Sequence, residues 1–325
     1  MTDRAFLEDV GTPYSINALG SAKTWEVRRF RNDPGLPPLI YVIECEAGGR
    51  FLLGRALSGR PKFNLIRYIA KAFVELFSEQ LSGRQLSQYL ILRGAYPFDL
   101  QYVFGATPPY GRLLLPTGFI KLQRVLNPEG TDWVVHARDF IGEYQGDTWL
   151  LPDTALASGA TIAHFLKNAF TQHLPKRVYV ITASGSLEGI RRIYQECLNK
   201  NVELIPVFSQ CIFEVSKVGN LPGLPLTDLS VISPGSITTR EFYEKAFRRY
   251  QGTRMCCVGD IGESLDNPVQ YSIHSLWEMK ILGMDPKKED WNAWTVNVRE
   301  KSFQEKVSDF NPALADYFHE IWKTE

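Results

Sequence analysis

The stretch from Thr148 to Phe170, TWLLPDTALASGATIAHFLKNAF, decides how the rest of the chain is read. It opens on TWLL, an uninterrupted β-branched, aromatic and aliphatic run of the kind a strand buried on both faces requires. It closes on Thr161 to Phe170, which sets Ile162, Phe165, Leu166 and Phe170 along one face of a helix. Between them, Leu151-Pro152-Asp153-Thr154-Ala155-Leu156-Ala157-Ser158-Gly159-Ala160-Thr161 reads as a loop dominated by small residues. Strand, small-residue loop and helix in succession make one half of a βαβ unit.

The neighbouring sequence repeats the pattern. Downstream, Arg177 to Thr182 (RVYVIT) predicts a strand, Ser186 to Asn199 a helix, and Val202 to Phe208 (VELIPVF) a strand. Upstream, Leu39 to Cys45 (LIYVIEC) and Tyr89 to Arg93 (YLILR) predict strands, with an amphipathic helix over Asn64 to Gln80 between them. Strands recurring with helices at about 25 to 30 residue spacing imply a Rossmann-like parallel sheet with helices on both faces. NPEGTDWVV, between Leu122 and Arg138, predicts a hairpin around Pro128-Glu129-Gly130. A helix over Thr239 to Tyr250 and a short strand over Met255 to Val258 complete the expected core. We divide the chain into an irregular N-terminal arm with the first strand (1–60), an α/β domain (61–284) and a helical C-terminal extension (285–325). The last of these ends in the amphipathic ALADYFHEIW.

The whole chain narrows the function classes. It has 325 residues, 44% hydrophobic and 22% charged, with 36 cationic and 36 anionic side chains. That balance leaves no global field to recruit nucleic acid or an acidic membrane, although it permits a local cationic cleft. The cysteines (Cys45, Cys197, Cys211, Cys256 and Cys257) are odd in number and lack zinc-site spacing. Residues 1–15 lack the apolar core of a signal peptide, and no stretch approaches the roughly 18 to 20 apolar residues of a membrane span. We expect a soluble, cytoplasmic protein with no nucleic-acid or membrane partner. The five histidines form no ligand-spaced cluster.

The loop carries the chemistry. It follows the carboxyl end of a strand and opens a helix, where open α/β sheets place ligands. Ala155, Ala157, Ser158, Gly159 and Ala160 let the backbone come close to a bound group, and their N–H groups with the helix dipole favour a phosphate. Ser158 and Thr161 add hydroxyls. Asp153 would repel phosphate but suits ribose hydroxyls or the water shell of Mg²⁺. The same residues equally suit a tight strand-to-helix turn with a serine N-cap. The loop has neither the lysine of a Walker loop nor a GxGxxG pattern.

PDTALASGAT resembles the phosphoribosyl-diphosphate (PRPP) loop of type I phosphoribosyltransferases, most closely the uracil phosphoribosyltransferase version. Three further segments follow the family's order. Leu92-Arg93-Gly94-Ala95 resembles its Leu-Arg-Ala-Gly segment, Ala183 to Ile190 (ASGSLEGI) its Ala-Pro-Glu-Gly stretch, and Cys257 to Leu265 (CVGDIGESL) the segment at its uracil site. The resemblance spans roughly residues 65 to 270. It implies transfer of 5-phosphoribose from PRPP to a nucleobase, uracil in the closest relatives, as in nucleotide salvage, with PRPP and the base as small-molecule partners.

By the same resemblance, Arg93, Gly94, Arg124, Asp153, Thr154, Ala157, Ser158, Gly159, Ala160 and Thr161 bind PRPP, with Asp153 and Arg93 catalytic. Val258, Gly259, Asp260 and Ile261 read the base. Mg²⁺ arrives as Mg-PRPP with no direct protein ligand, Asp260 joining its shell through water. Arg93 would equally serve a strand-end ion pair, Lys121 and Arg124 a solvated surface, and Asp260 a simple turn. Glu263 and Ser264 stand where the family has Asp and Arg, and Cys256-Cys257 where it has Pro-Gly. A phosphoribosyltransferase for another base, or a non-catalytic regulator that binds PRPP or nucleotide, stays open on these departures, as does a homodimer.

Overall fold

The computed structural model describes residues 7–9, 14–16, 20–27, 33–53, 59–92, 94–111, 113–126, 133–213, 215–218, 221–223 and 231–232, with isolated helical positions at 305 and 316. Three short antiparallel strands come first: β1 (Leu7–Asp9), β2 (Tyr14–Ile16) and β3 (Gly20–Val27). Then follow β4 (Tyr41–Glu44), α1 (Glu46–Leu53), α2 (Gly59–Leu76), α3 (Ser78–Leu81) and β5 (Leu86–Ile91). A 3₁₀ turn (Tyr96–Phe98) leads into α4 (Leu100–Ala106), β6 (Thr117–Leu126) and β7 (Trp133–Ile141). The core closes with β8 (Thr148–Leu156), α5 (Ala160–Ala169), β9 (Arg177–Gly185), α6 (Leu187–Leu198) and β10 (Glu203–Ser209). β11 (Cys211–Ile212), β12 (Ser216–Val218), β13 (Leu221–Gly223) and β14 (Val231–Ile232) form two small antiparallel ladders.

The main sheet has the order β1-β3-β4-β10-β9-β8-β5-β6-β7. The six strands from β4 to β6 are mutually parallel, and antiparallel strands flank them on both sides. From β8 the chain winds toward β9 and β10, whereas from β5 it winds the opposite way to β6. Right-handed crossovers in opposite directions place their helices on opposite faces. Accordingly α1, α2 and α4 cover one face around Phe51, Phe73, Val103 and Phe104, and α5 and α6 the other around Phe165, Leu166, Ile190 and Ile193. β9 alternates between the two cores, Tyr179 and Ile181 entering one and Val178 and Val180 the other. That double burial is why its sequence is apolar without a break. This is a Rossmann-like α/β fold.

Between β5, β8 and α5 the core is aromatic. Tyr89 and Trp149 are fully buried with ring centroids 4.6 Å apart, and Phe165 lies 5.4 Å from Tyr89. The Trp149 indole N–H donates to the Gln145 carbonyl at 2.7 Å, and the Tyr89 hydroxyl accepts from the Gln145 N–H at 2.9 Å. Burial pushes the Tyr89 phenol up to about 12.

Two expectations change. Residues 20–27 do not form an irregular arm: β3 pairs antiparallel with β4 from Lys23↔Glu44 to Glu26↔Tyr41. The charges spread through GSAKTWEV hide its Thr, Trp and Val, which suit a strand. The strand expected over Leu39 to Cys45 is β4, which pairs with β10. Secondly, β8 runs on to Leu156, so Pro152 to Leu156 are strand rather than loop. Pro152 is tolerated because β5 leaves the ladder at Gln88↔Leu150, and beyond that point β8 pairs only with β9. The expected hairpin is present, β6 pairing with β7 from Phe119↔Ile141 to Leu126↔Trp133. The elements expected over 239–250, 255–258 and 313–322 lie outside the described residues.

Asp33 ties the segment before β4 to α6. The Arg191 guanidinium donates to both carboxylate oxygens, at 3.1 and 2.5 Å, and the Gly35 N–H donates to Oδ1 at 2.8 Å. The Arg191 hydrogen bond, then that of Gly35, holds the carboxyl below its usual range. A lowered folded-state value means stability that is present above the unfolded carboxylate value and lost as pH falls through the folded one. Both partners are partly exposed, so Asp33→Asn should cost ~0.2–1 kcal/mol near neutral pH. In urea melts the gap between variant and wild type should close in acid; a gap independent of pH would exclude the ion pair as its source.

Candidate functional site

The carboxyl ends of β5 and β8 diverge where their crossovers turn in opposite directions, the crevice in which doubly wound sheets hold ligands. The segment after β5 is pinned to β8 across this gap. Thr154 donates its N–H (3.0 Å) and its hydroxyl (2.5 Å) to the Gly94 carbonyl. Asp153, partly exposed, lies against Gly94 so closely that a Cβ at position 94 would fall on its carboxylate. The Ala155 N–H points back to Asp153 Oδ1 at 3.4 Å. Gly94 and Asp153, 59 positions apart in sequence, thus share one spot at the mouth of the crevice.

After β8, Ala157 to Gly159 turn the chain into α5. Gly159 has φ +67° and forms the helix N-cap without a side chain to cap it. A Cβ there would strike the backbone of Gly189, while one on Gly189 would meet the Ala157 carbonyl at 2.5 Å. These glycines let the first turns of α5 and α6 meet backbone to backbone. Ser186 caps α6, its hydroxyl accepting from the Gly189 N–H at 2.9 Å and donating to the Ala157 carbonyl at 2.5 Å. The loop is held by its carbonyl side. Among the described residues, no backbone carbonyl accepts from the N–H groups of Ser158, Gly159, Ala160, Thr161 or Ile162. Open N–H groups at the positive end of a helix dipole suit an anion.

Next to this loop the carboxyl edge is polar and buried. The Ser184 hydroxyl donates to the Thr154 carbonyl (3.1 Å), and the Thr182 hydroxyl to the Ser184 carbonyl (2.7 Å). Farther along, Ser209 and Gln210 end β10, Gln210 at φ +66° with its amide donating to the Cys45 carbonyl. The Ser209 hydroxyl is buried without a hydrogen-bond partner, and Glu44 is 8% exposed beside it in the sheet. Sequence reasoning missed Thr182, Ser209, Gln210 and Glu44; the signal was polar residues closing otherwise apolar strands.

The structure brings together Gly94, Asp153, Thr154, Ala157, Ser158, Gly159, Ala160 and Thr161. Their roles divide: Thr154 is buried and fastens the frame, while Asp153 and Thr161 keep partial exposure. Arg93 and the segment Val258, Gly259, Asp260 and Ile261 lie outside the described residues. Of Arg124 the backbone is placed, at a register shift of the β6–β7 hairpin. β6 pairs with β5 only as far as Ile91↔Ile120, so the hairpin overhangs the carboxyl edge by about 20 Å. Cys45 and Cys197 are buried thiols that burial pushes up to about 11 and about 12, which leaves them protonated and inert. The described residues hold no group of three or more metal-ligating His, Cys, Asp or Glu, and no helix long and apolar enough to cross a membrane.

Neither a family model nor a curated protein matches the chain. Among solved structures it is similar to the AQ2163 protein from Aquifex aeolicus, at 18% identity and a TM-score of 0.37 over 50% of this chain and 80% of that one. It is similar to the adenine phosphoribosyl transferase from Trypanosoma brucei, solved with AMP, pyrophosphate and ribose-5-phosphate, at 12% identity and a TM-score of 0.37 over 55% and 85%. The orotate phosphoribosyltransferase from Aeropyrum pernix follows at 16% and 0.30 over 49% and 75%. At these scores the class of protein, a Rossmann-like α/β fold with a ligand crevice at its switch point, rests on the chain's own strand order and site geometry.

Gly159→Ala should destabilise by on the order of 1–3 kcal/mol, from a strained φ and a collision with the Gly189 backbone. Gly105→Ala is the control: that helical position is open within 4 Å, and the change should stabilise by ~0.4–1 kcal/mol. Denaturant midpoints of the two variants moving in the same direction would contradict this account of the loop.

Proposed function

We propose that the chain is a type I phosphoribosyltransferase that transfers 5-phosphoribose from PRPP to a nucleobase, with uracil as the first candidate acceptor. The observation that carries the proposal is the sequence Asp153, Thr154, open α5 N-terminus, laid along the switch-point crevice with Thr154 clamped to Gly94. The 5′-phosphate accepts from the N–H groups of Ser158 to Thr161 and from the Ser158 and Thr161 hydroxyls. Asp153, next along the strand, accepts from the ribose hydroxyls and stabilises positive charge at the ring. The diphosphate lies toward Gly94 and the Arg93 segment.

In the reaction a base nitrogen attacks C1 of the ribose while the bond from C1 to the diphosphate oxygen breaks. The transition state is cationic at the ring, so positioning and charge stabilisation replace a protein nucleophile. The hairpin that overhangs the crevice excludes water, which would otherwise capture the cationic sugar. With Asp153 the one described carboxylate against Gly94, the donor set fits Mg²⁺ carried by the diphosphate and its waters, where it would neutralise the leaving group.

The test is a radiolabelled-base assay with PRPP and Mg²⁺ across uracil and the other bases, with PRPP affinity read separately by calorimetry. Asp153→Asn should abolish turnover. Ser158→Ala should weaken PRPP binding about three- to tenfold, the loss of one hydrogen bond to a charged group. PRPP binding without product from any base would replace the enzyme with a PRPP-binding regulator. Unchanged affinity and activity in both variants would mean that the loop is not the site.

A further inference from the structure

Four hydrogen-bond donors meet along the seam between β7 and α5. Directly opposed residues of an antiparallel pair share a face. Arg138 lies opposite Leu122, so it leaves the hairpin on the side that Leu122 and Phe140 pack against the α5–α6 core. Tyr144 fills the gap between hairpin and helix, its ring stacked on Phe140 at 4.4 Å and 6.1 Å from Phe165. Next to Phe165 comes His164, and Lys167, three residues on, shares its face of α5. Arg138 and Lys167 are exposed, and His164 is half-buried. Burial first, then the charges of Arg138 and Lys167, hold the His164 imidazole below its ordinary value. Burial raises the Tyr144 phenol against the opposing pull of Arg138, so its hydroxyl remains a donor at neutral pH. That hydroxyl is buried without a hydrogen-bond partner, an arrangement that folded proteins seldom leave uncompensated. Asp139, the carboxylate beside Arg138, lies on the other face of the hairpin opposite Lys121, and Glu143 is exposed. Among the described residues, Arg138, His164 and Lys167 form no ion pair.

Like charges from two elements crowd a histidine beside a hydroxyl that has nothing to donate to. A single anion relieves both conditions. We propose that the seam between β7 and α5 is a second anion site, which takes the phosphoryl group of a phosphorylated small molecule or free phosphate. The Arg138 guanidinium donates a charge-assisted pair, the Tyr144 hydroxyl a third bond, and Lys167 adds charge. His164 becomes a donor as it takes up a proton. The site is separate from the phosphate loop. The open N–H groups of α5 point along the helix axis off its first turn, whereas His164 and Lys167 project from its side. His164 also lies about 4.5 Å farther along the axis than Thr161. Arg138 and Lys167 stand on long flexible chains at the surface, so an anion enters beneath them to reach the hydroxyl. Once bound, it ties the hairpin to the helix that carries the loop.

The inference is independent of the proposed reaction and is tested without PRPP. Sulfate is the first probe, because it stays a dianion throughout the titration range of histidine. The His164 ring signal, assigned with His164→Gln, is titrated by NMR on the full chain in sulfate and in chloride of equal ionic strength. Saturating sulfate should raise the His164 pKa by roughly one pH unit, the effect of an opposite charge in contact. By reciprocity, sulfate should then bind roughly tenfold more weakly once pH has risen through that value. Arg138→Gln should weaken sulfate binding at least about tenfold, the loss of bonds to a charged group. Tyr144→Phe keeps the ring on Phe140 and should weaken it roughly three- to tenfold. Ser158→Ala, in the phosphate loop, should leave the His164 response in place. Circular dichroism checks folding, and Tyr144→Phe is the conservative probe should Arg138→Gln fail to fold. Adenosine triphosphate moving the His164 signal at lower concentration than inorganic phosphate assigns the site to a nucleotide, and the reverse order assigns it to the free ion. A His164 pKa that moves no more in sulfate than in chloride would overturn the proposal. So would a response that survives both Arg138→Gln and Tyr144→Phe, or one that Ser158→Ala abolishes.

Discussion

The Gly94 carbonyl holds the candidate site together. β5 and β8 lie side by side only to Gln88↔Leu150, after which their chains leave in opposite directions and the sheet opens. Two donors from one residue, the N–H and hydroxyl of Thr154, close that opening onto a single acceptor. Each such bond is worth about 1 kcal/mol net. What they hold matters more than their sum, because they fix the distance between the strand that carries Asp153 and the segment that begins at Leu92. The missing side chain at Gly94 is part of the same device, since its place is taken by the Asp153 carboxylate.

A second constraint acts on the loop from below. Ser186 spends its hydroxyl on two backbone groups, the Gly189 N–H of its own helix and the Ala157 carbonyl of the neighbouring loop. The α6 terminus is thereby satisfied internally, while the α5 terminus keeps its N–H groups open and its loop fixed. Among described buried polar residues, Glu44, Thr154, Ser158, Thr182, Ser184, Ser186, Ser209 and Gln210 gather along this carboxyl edge. The strands below them are apolar on both faces. Polar groups buried at one end of a sheet cost free energy unless they are hydrogen-bonded, and most of these donate to backbone carbonyls. Fixed geometry at that edge is the return.

The core was legible in the sequence because burial on both faces leaves an unmistakable pattern. RVYVIT and VELIPVF have no polar position to spare, and the α5 face repeats at helical spacing. Pro152 concealed the true length of β8, since a proline reads as a strand end when the missing neighbour on one side cannot be seen. β3 was hidden for the opposite reason: Lys23 and Glu26 interrupt its apolar pattern, and the Pro- and Gly-rich stretch after it reads as irregular. The loop's small residues read as room for a ligand. The structure gives them a packing duty as well, for Gly159 meets Gly189 across two helix termini. The Thr154 clamp left no trace in the sequence, because it joins residues 60 apart.

The hairpin answers to a different constraint. A two-stranded ribbon that leaves its sheet has one face on the core and one in water, and alone it is marginal in stability. Here the register shift between Gln123 and Arg124 adds local twist along the ribbon. Its packing against the α5–α6 core through Ile120, Leu122 and Phe140 is what steadies it.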